Sequence, residues 1–544
     1  MTRYVMVADI DRCVGCQTCT AACRHANATS PAVQWRKVLD IEFGTYPRVS
    51  RTFVPVGCQH CEDPPCMHVC PTTATGKRAD GIVTIDYDLC IGCAYCDVAC
   101  PYQARFKVSA PRHAYGMVPM ADEALREDPR RIGVAQKCTF CSDRIDQGLE
   151  QGLVPGIDGA ATPACVNSCI ADALVFGDAD DSESNVSRLL RERPHFRMHA
   201  ELGTEPNFHY LYDRHTQDVP STPIANTDVA AAGAVRSRGV DPWHQEHWEW
   251  KAAANFVLGG AGTGLLAVEA AVGVAPEHFA ITGIVSLALV ALGLSGLMFK
   301  IGRPLRFLYV LRHPQRSWMS REAWIAGLLF PVTTLAIWRG SPQLYYVAAL
   351  LGLGFMFAQA MILREARGIP AWRSRRIVAF MISTGLAEGA GVLLVLAIVI
   401  PSLGYAAQSA TAALVIFTAL RLMMWHRYRR GLEAGGAPVR AMEVLHCARR
   451  QFIAWGGAVP LVLAGAGVAI PQAGGALLGI SALCVLVAGW AMKFILITRA
   501  GYNEGYALQR TSRGGHAGPP IKPGWVMPQL EQEAPKAATA QNTA

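Results

Sequence analysis

Sixteen cysteines before residue 170 fall into four sets of four: Cys13, Cys16, Cys19 and Cys23; Cys58, Cys61, Cys66 and Cys70; Cys90, Cys93, Cys96 and Cys100; and Cys138, Cys141, Cys165 and Cys169. The first and third sets share the spacing C-x2-C-x2-C-x3-C, and Pro101 follows the third directly. At this spacing the first three thiolates wrap one iron–sulfur cube. The fourth, starting a helix that points away, reaches the neighbouring cube. Sixteen thiolates suffice for four [4Fe–4S] clusters with none left over. A row of clusters is a path for electrons, so the implied chemistry is redox transfer. A disulfide framework belongs to a secreted chain, and the opening MTRYVMVADIDRC has neither an apolar signal segment nor twin arginines. Zinc ribbons use paired C-x2-C units without a third cysteine three residues on.

The spacing is that of bacterial ferredoxins. It predicts an α+β ferredoxin-like iron–sulfur domain, built as two pseudo-symmetric two-cluster units, over residues 1–220. The 544-residue chain is long enough for more than this, and its mean hydropathy of +0.21 is high. Apolar residues concentrate after residue 250 and predict an all-α membrane bundle of about eight helices near 252–274, 279–299, 323–338, 343–363, 377–401, 407–425, 451–470 and 475–497. The domain boundaries follow: an Ala-rich linker at 221–243, a membrane anchor at 244–508, and a disordered tail at 509–544. His244–Trp250 (HQEHWEW) suits a membrane interface.

Basic residues mark alternate loops: Lys300, Arg303, Arg306, Arg312 and Arg316; Arg364, Arg367, Arg373, Arg375 and Arg376; Arg427, Arg429, Arg430, Arg440, Arg449 and Arg450. The positive-inside rule makes these loops cytoplasmic. An even helix count then places the cluster domain and both termini on the cytoplasmic side of the inner membrane. The net charge of +8 is thus a topology signal rather than a sign of nucleic-acid binding.

The cysteine pattern resembles the four-cluster electron-transfer subunits of molybdopterin oxidoreductases. Gln136-Lys137-Cys138-Thr139-Phe140-Cys141-Ser142-Asp143-Arg144, Pro163-Ala164-Cys165 and Phe176-Gly177-Asp178 carry that likeness. The second half resembles the DMSO-reductase-type anchor subunit, on Gly302-Arg303-Pro304-Leu305-Arg306 and Ser317-Trp318-Met319-Ser320-Arg321-Glu322. The chain is similar to a fusion of the two. The departures are Arg24 and Ile170, which stand where a ferredoxin motif has proline, and Lys300, which stands where the anchor has histidine.

The resemblance implies a crossed pairing of ligands. Cys13, Cys16, Cys19 and Cys169 would hold the cluster nearest a catalytic partner. Cys23, Cys138, Cys141 and Cys165 would hold the second. Cys58, Cys61, Cys66 and Cys100 would hold the third, and Cys70, Cys90, Cys93 and Cys96 the one nearest the membrane. Cys447 and Cys484 read as packing residues. The later histidines, His244, His247, His278, His313, His426 and His446, fall in loops or at helix ends, so no haem is expected.

Electrons must then pass directly between the last cluster and a lipid-soluble carrier, for which quinone is the candidate. The resemblance singles out Gly302, Arg306 and Glu322, with Lys300 in the histidine's place. Lys, Arg and Glu can supply carbonyl donors and a proton relay, whereas Ser320 and Glu322 also suit the N-cap and first turn of a helix. The expected function is an electron relay between a molybdopterin-containing catalytic subunit and the quinone pool, with substrate chemistry on that separate subunit. Oxidation of a cytoplasmic substrate such as sulfite fits the topology. DMSO- or polysulfide-type reduction, phenylacetyl-CoA oxidation and service to a hydrogenase are the alternatives. Glu269, Glu388 and Lys493 lie within predicted membrane helices, where charge is expensive.

Overall fold

The computed structural model describes residues 2–31, 33–45, 48–116, 118–212, 242–273, 275–470 and 472–506. All but the last two residues of the expected linker at 221–243, and the whole of the expected tail at 509–544, lie outside the described residues.

The cluster domain is organised by β1 (Tyr4–Asp9), whose six residues are all buried. Its side chains alternate between two faces. Tyr4, Met6 and Ala8 join the core that contains the sulfur sets, while Val5 and Val7 pack on Val186 and Leu211. The strand therefore reads as continuously apolar, as a strand covered on both faces must. A long hairpin of β2 (Arg36–Thr45) and β3 (Arg48–Gly57) follows. β4 (Leu174–Asp178) then pairs antiparallel with β1, and β6 (Phe208–Leu211) pairs parallel with it, β5 (His195–Phe196) closing the order β4-β1-β6-β5. The sheet thus ties the chain's start to the end of the domain.

The two halves repeat the same strained backbone. Left-handed φ values occur at Gly15 (72°) and Gly92 (71°), and at Gln17 (62°) and Ala94 (59°), in the first and third cysteine sets. The second and fourth sets match in the same way, at His60 (42°) and Phe140 (53°) and at Thr73 (61°) and Asp172 (46°). Each pair stands at the same offset from its cysteines, so the halves are two copies of one loop design. α1 (Thr18–Asn27) starts after Gln17 and α2 (Tyr95–Ala99) after Ala94.

The second half is helical throughout: α3 (Trp250–Val272), α4 (Phe279–Met298), α5 (Trp318–Arg339), α6 (Pro342–Glu365), α7 (Arg376–Val399), α8 (Ala407–Ala434), α9 (Val439–Ala469) and α10 (Gly474–Thr498). Among the described residues, seven are long and apolar enough to cross a membrane. The remaining one, α5, corresponds to the short segment expected at 323–338. It runs over 22 residues, and its apolar run reads short because Arg321 and Glu322 in its first turns depress its hydropathy without breaking the helix. Its N-cap is Ser317, not Ser320. α9 is likewise longer than the expected 451–470, with a π-helical turn at Ala454–Ala458.

α3 is the axis of the bundle, against which α4, α6, α7 and α10 pack. Its glycines permit this: a Cβ on Gly264 would fall 2.0 Å from the Gly385 carbonyl oxygen, and one on Gly389 2.1 Å from the Gly264 carbonyl carbon. Small residues at such crossings let helix backbones approach in the absence of a hydrophobic driving force.

The halves meet at another close approach. A Cβ on Gly302 would lie 1.8 Å from the Gly133 carbonyl oxygen, and one on Gly92 1.9 Å from the same atom. No side chain fits there. Gly302→Ala is therefore expected to cost on the order of 1–3 kcal/mol at this joint. It should appear as easier proteolytic separation of the halves with iron content unchanged; unchanged protease resistance would refute this role.

Candidate metal centres and the membrane-facing loop

Chain order does not predict which sulfurs meet, and the fold crosses the sets. Cys13, Cys16, Cys19 and Cys169 line one cavity. Cys58, Cys61, Cys66 and Cys100 line another, with Arg105 in its wall. Cys23 faces Cys138, Cys141 and Cys165, and Cys93 and Cys96 face Cys70 and Cys90. Cys19 and Cys23 stand one turn apart on α1 yet serve different sets, so a single helical turn links two sites. Cys447 and Cys484 lie on membrane helices α9 and α10, away from these sets.

Burial is the largest influence on the innermost of these thiols. It raises Cys138, Cys165 and Cys93 to about 11 and Cys100 to about 12. Iron binding must therefore displace protons, and positive charge must be supplied locally. Three buried cations provide it. Arg36 is wholly buried beside Cys165, Cys138, Cys19 and Cys23. Arg105 donates through Nη2 to Cys66 Sγ at 2.7 Å and neighbours Cys96, Cys58 and Cys100. Lys137 lies near Cys58, Cys138 and Cys66 and donates to the carbonyls of Val83 and Cys138.

The donors of Arg36 test whether anionic clusters fit. Its Nε and Nη1 are buried with no hydrogen-bond partner in the protein. Its Nη2 meets the Met6 sulfur at 2.9 Å, and a buried guanidinium so poorly met is costly unless a negative group stands beside it. Thiolate-ligated iron–sulfur clusters meet that need, so the sulfur sets and their surroundings suit [4Fe–4S] groups. Sequence alone assigns none of these cations a role. Lys137 adjoins Cys138 in the fourth motif, but Arg36 sits in a strand far from any cysteine in sequence and carries no local signal.

The set of Cys70, Cys90, Cys93 and Cys96 adjoins the membrane half. Its loops present backbone carbonyls, and the segment from Lys300 to Ser320 supplies the donors. The Arg303 amide donates to Ile91 (3.1 Å), and Arg306 Nη1 to Tyr87 (2.8 Å) and Cys90 (3.3 Å). His313 Nδ1 lies 2.9 Å from the Cys70 carbonyl, while the Ser317 and Ser320 hydroxyls donate to Val69 (2.8 Å) and Pro71 (3.2 Å). Farther along, Arg367 pairs with Asp63 at 3.6 Å, and His199 donates to the Gly505 carbonyl at 2.9 Å. The basic loops thus lie on the cluster-domain face of the bundle.

The four residues expected at a quinone separate into two roles. Gly302 and Arg306 are engaged in this docking. Lys300 and Glu322 are instead associated with the start of α3. Lys300 Nζ stands 4.3 Å from the centre of the Trp248 ring, and burial lowers its ammonium to about 7. Glu322 is buried and accepts from Asn255 Nδ2 at 2.9 Å, while Gln359 donates to the Asn255 carbonyl at 2.9 Å. His247, beside Lys107 and Lys300, is held down to about 4, chiefly by burial. Asn255 and Gln359 do not stand out in the sequence, being single polar residues in apolar surroundings, whereas Trp248 falls in the stretch His244–Trp250 read as a membrane interface.

The chain is similar to known iron–sulfur proteins. The family described as 4Fe-4S dicluster domain matches residues 49–115. An iron-sulfur subunit of the dimethyl sulfoxide reductase type from Halobacterium salinarum is 41% identical over 225 residues, covering 39% of this chain and 79% of that protein. A selenate reductase subunit of Mesobacillus selenatarsenatis is 41% identical over 226 residues (38% and 72%). A sulfite dehydrogenase subunit of Allochromatium vinosum is 37% identical over 234 residues (40% and 86%).

If Arg36 compensates cluster charge, Arg36→Met, which keeps length and loses charge, should make the neighbouring clusters harder to reduce. A redox titration followed by EPR should show a more negative midpoint at full iron content. An unchanged midpoint would leave the guanidinium a packing role only.

Proposed function

Because the chain belongs to the family of iron–sulfur electron-transfer subunits of molybdopterin oxidoreductases, with a helical membrane-spanning domain joined to it, we propose that it relays electrons between a molybdopterin catalytic subunit and membrane quinone through four [4Fe–4S] clusters. The observation that carries this reading is the docking of the set of Cys70, Cys90, Cys93 and Cys96 on the loop from Lys300 to Ser320. Four complete cysteine sets support four cubanes in the crossed pairing. When bound, these groups carry single electrons. The residues of the chain hold them, bury most of the sulfurs outside the outermost set, and supply Arg36, Lys137 and Arg105 as compensating charge.

The outermost set is where the catalytic subunit would dock. Cys16 is exposed there, flanked by exposed Val14 and Ile170. At the other end, the quinone headgroup would lie near the start of α3. Lys300 and Glu322 would meet its two carbonyls and exchange its protons, with Gly302 and Arg306 fixing the loop. The basic loops on the cluster face support a cytoplasmic position for that face in the inner membrane. A cytoplasmic catalytic face favours oxidation of an internal substrate, and sulfite is the candidate that a sulfite dehydrogenase relative supports. The reverse flow is the second reading, supported by the dimethyl sulfoxide and selenate reductase relatives.

The purified complex should contain about sixteen iron and about sixteen sulfide per chain, by the four-cubane reading; about twelve iron, or an oxidised [3Fe–4S] EPR signal in intact protein, would overturn it. Glu322→Gln should slow electron exchange with quinol while dye activity at the catalytic subunit persists, because Gln keeps the size of Glu but cannot exchange a proton. Loss of both activities together with iron would make Glu322 structural.

A further inference from the structure

Two buried acidic positions in the bundle differ in kind. Glu388 of α7 has a cation: Lys493 Nζ of α10 donates to its Oε2 at 2.6 Å and to the Phe256 carbonyl at 3.1 Å. Glu269 of α3 is wholly buried and, among the described residues, has no ion-pair partner. Its oxygens are met by hydroxyls. Thr282 Oγ1 of α4 donates to Oε1 at 2.5 Å, and the Tyr345 hydroxyl of α6 donates to Oε2. A carboxyl held only by hydroxyls inside a membrane bundle is suited to gaining and losing a proton, whereas a paired one is held charged.

Glu269 also ends a column. On α6, Tyr345, Gly352 and Gln359 recur every seven residues and so share a face. Each meets a polar position on antiparallel α3: Tyr345 meets Glu269, Gly352 meets Thr263, and Gln359 meets Asn255. A Cβ on Gly352 would lie 3.1 Å from the Thr263 carbonyl oxygen, so the glycine lets the two helix backbones approach closely at that rung. Thr263 donates to the Gly259 carbonyl, and Ser286 of α4 to the Gly262 carbonyl, both at 2.7 Å. Asn255 Oδ1 is buried in this column without a protein partner, as is Thr333 Oγ1 of α5 beside Gly283 of α4. Successive rungs are about 10 Å apart by helix rise, so transfer between them needs intervening water. The column runs from Asn255 and Glu322 at the cluster face to Glu269. Beyond it Thr282 Oγ1 lies 3.2 Å from the His278 carbonyl, and Tyr405 stands 3.3 Å from His278 Nδ1 near the opposite face.

We propose that Glu269 is a proton-exchange group and that the α3–α6 column connects the quinone end with the face opposite the cluster domain. The inference rests on the quinone reading above. For each quinol oxidised, two electrons enter the clusters, the two O–H bonds break, and two protons leave along the column to the opposite face. In quinone reduction both flows reverse. Electron relay would thereby separate charge across the membrane.

The test uses the complex in liposomes with the cluster domain outside, duroquinol as donor, external ferricyanide as oxidant and pyranine trapped in the lumen. Wild type should bleach its clusters and acidify the lumen. Glu269→Gln should slow lumenal acidification about 100-fold, the scale of a lost proton-transfer group, with iron content and dithionite-reducible clusters unchanged. Tyr345→Phe, which keeps the ring stacked on Phe279, should slow it in the same direction and decides the matter if Glu269→Gln fails to assemble. Wild-type protons appearing outside, or both variants acidifying the lumen at the wild-type rate, would overturn the proposal while leaving the quinone reading intact. Failure of duroquinol to reduce the wild-type clusters would overturn the quinone reading and this inference together.

Discussion

The joint between the two halves rests on main-chain carbonyls. The loops that gather Cys70, Cys90, Cys93 and Cys96 direct their amides inward, toward sulfur, and their carbonyls outward. Cys90 lies near the Gly92 and Ala135 amides, and Cys93 near that of Tyr95. A row of outward carbonyls facing a membrane would be expensive without donors. The loop from Lys300 to Ser320 supplies them, and this one requirement accounts for several local facts. It explains why a loop at the membrane surface is ordered, why α5 begins with serines, and why glycine occupies position 302.

A second constraint acts within the cluster domain. Packing sixteen cysteine sulfurs and the anionic clusters they suit into a small fold requires positive charge where solvent cannot provide it. Arg36 comes from β2, Arg105 from the segment after the third cysteine set, and Lys137 from the residue before the fourth. Each stands between sulfur sets rather than at the rim of one. The buried cations and the cluster row are therefore one electrostatic arrangement, in which removing a charge at one position alters the affinity of its neighbours for electrons.

Much of this is legible in the sequence, for reasons that differ by region. Cysteine spacing is a local signal, and it reveals the chemistry directly. Long apolar runs reveal the bundle, and the alternation of basic loops agrees with the face on which they lie. What escapes notice has no local periodicity. α5 reads too short because Arg321 and Glu322 dilute its hydropathy, although Arg321 donates to the Pro314 and Gln315 carbonyls and Glu322 accepts from Asn255. Arg36 carries a role that depends on sulfurs distant in sequence. The Gln359–Asn255 contact is a relation between two helices, and a single helix taken alone displays only an isolated amide.

The paired left-handed residues of the two cluster loops have a consequence for the life of the protein in the cell. Gln17, Ala94, His60, Phe140, Thr73 and Asp172 are not glycines, and each such conformation costs on the order of 1–2 kcal/mol. Together with buried thiols that resist ionisation, they make the metal-free loops unfavourable, so folding and cofactor acquisition become a single event. Chains made during iron scarcity would not accumulate as an inactive reserve. They would remain open to proteases, and the abundance of this subunit would follow the iron supply without a dedicated sensor.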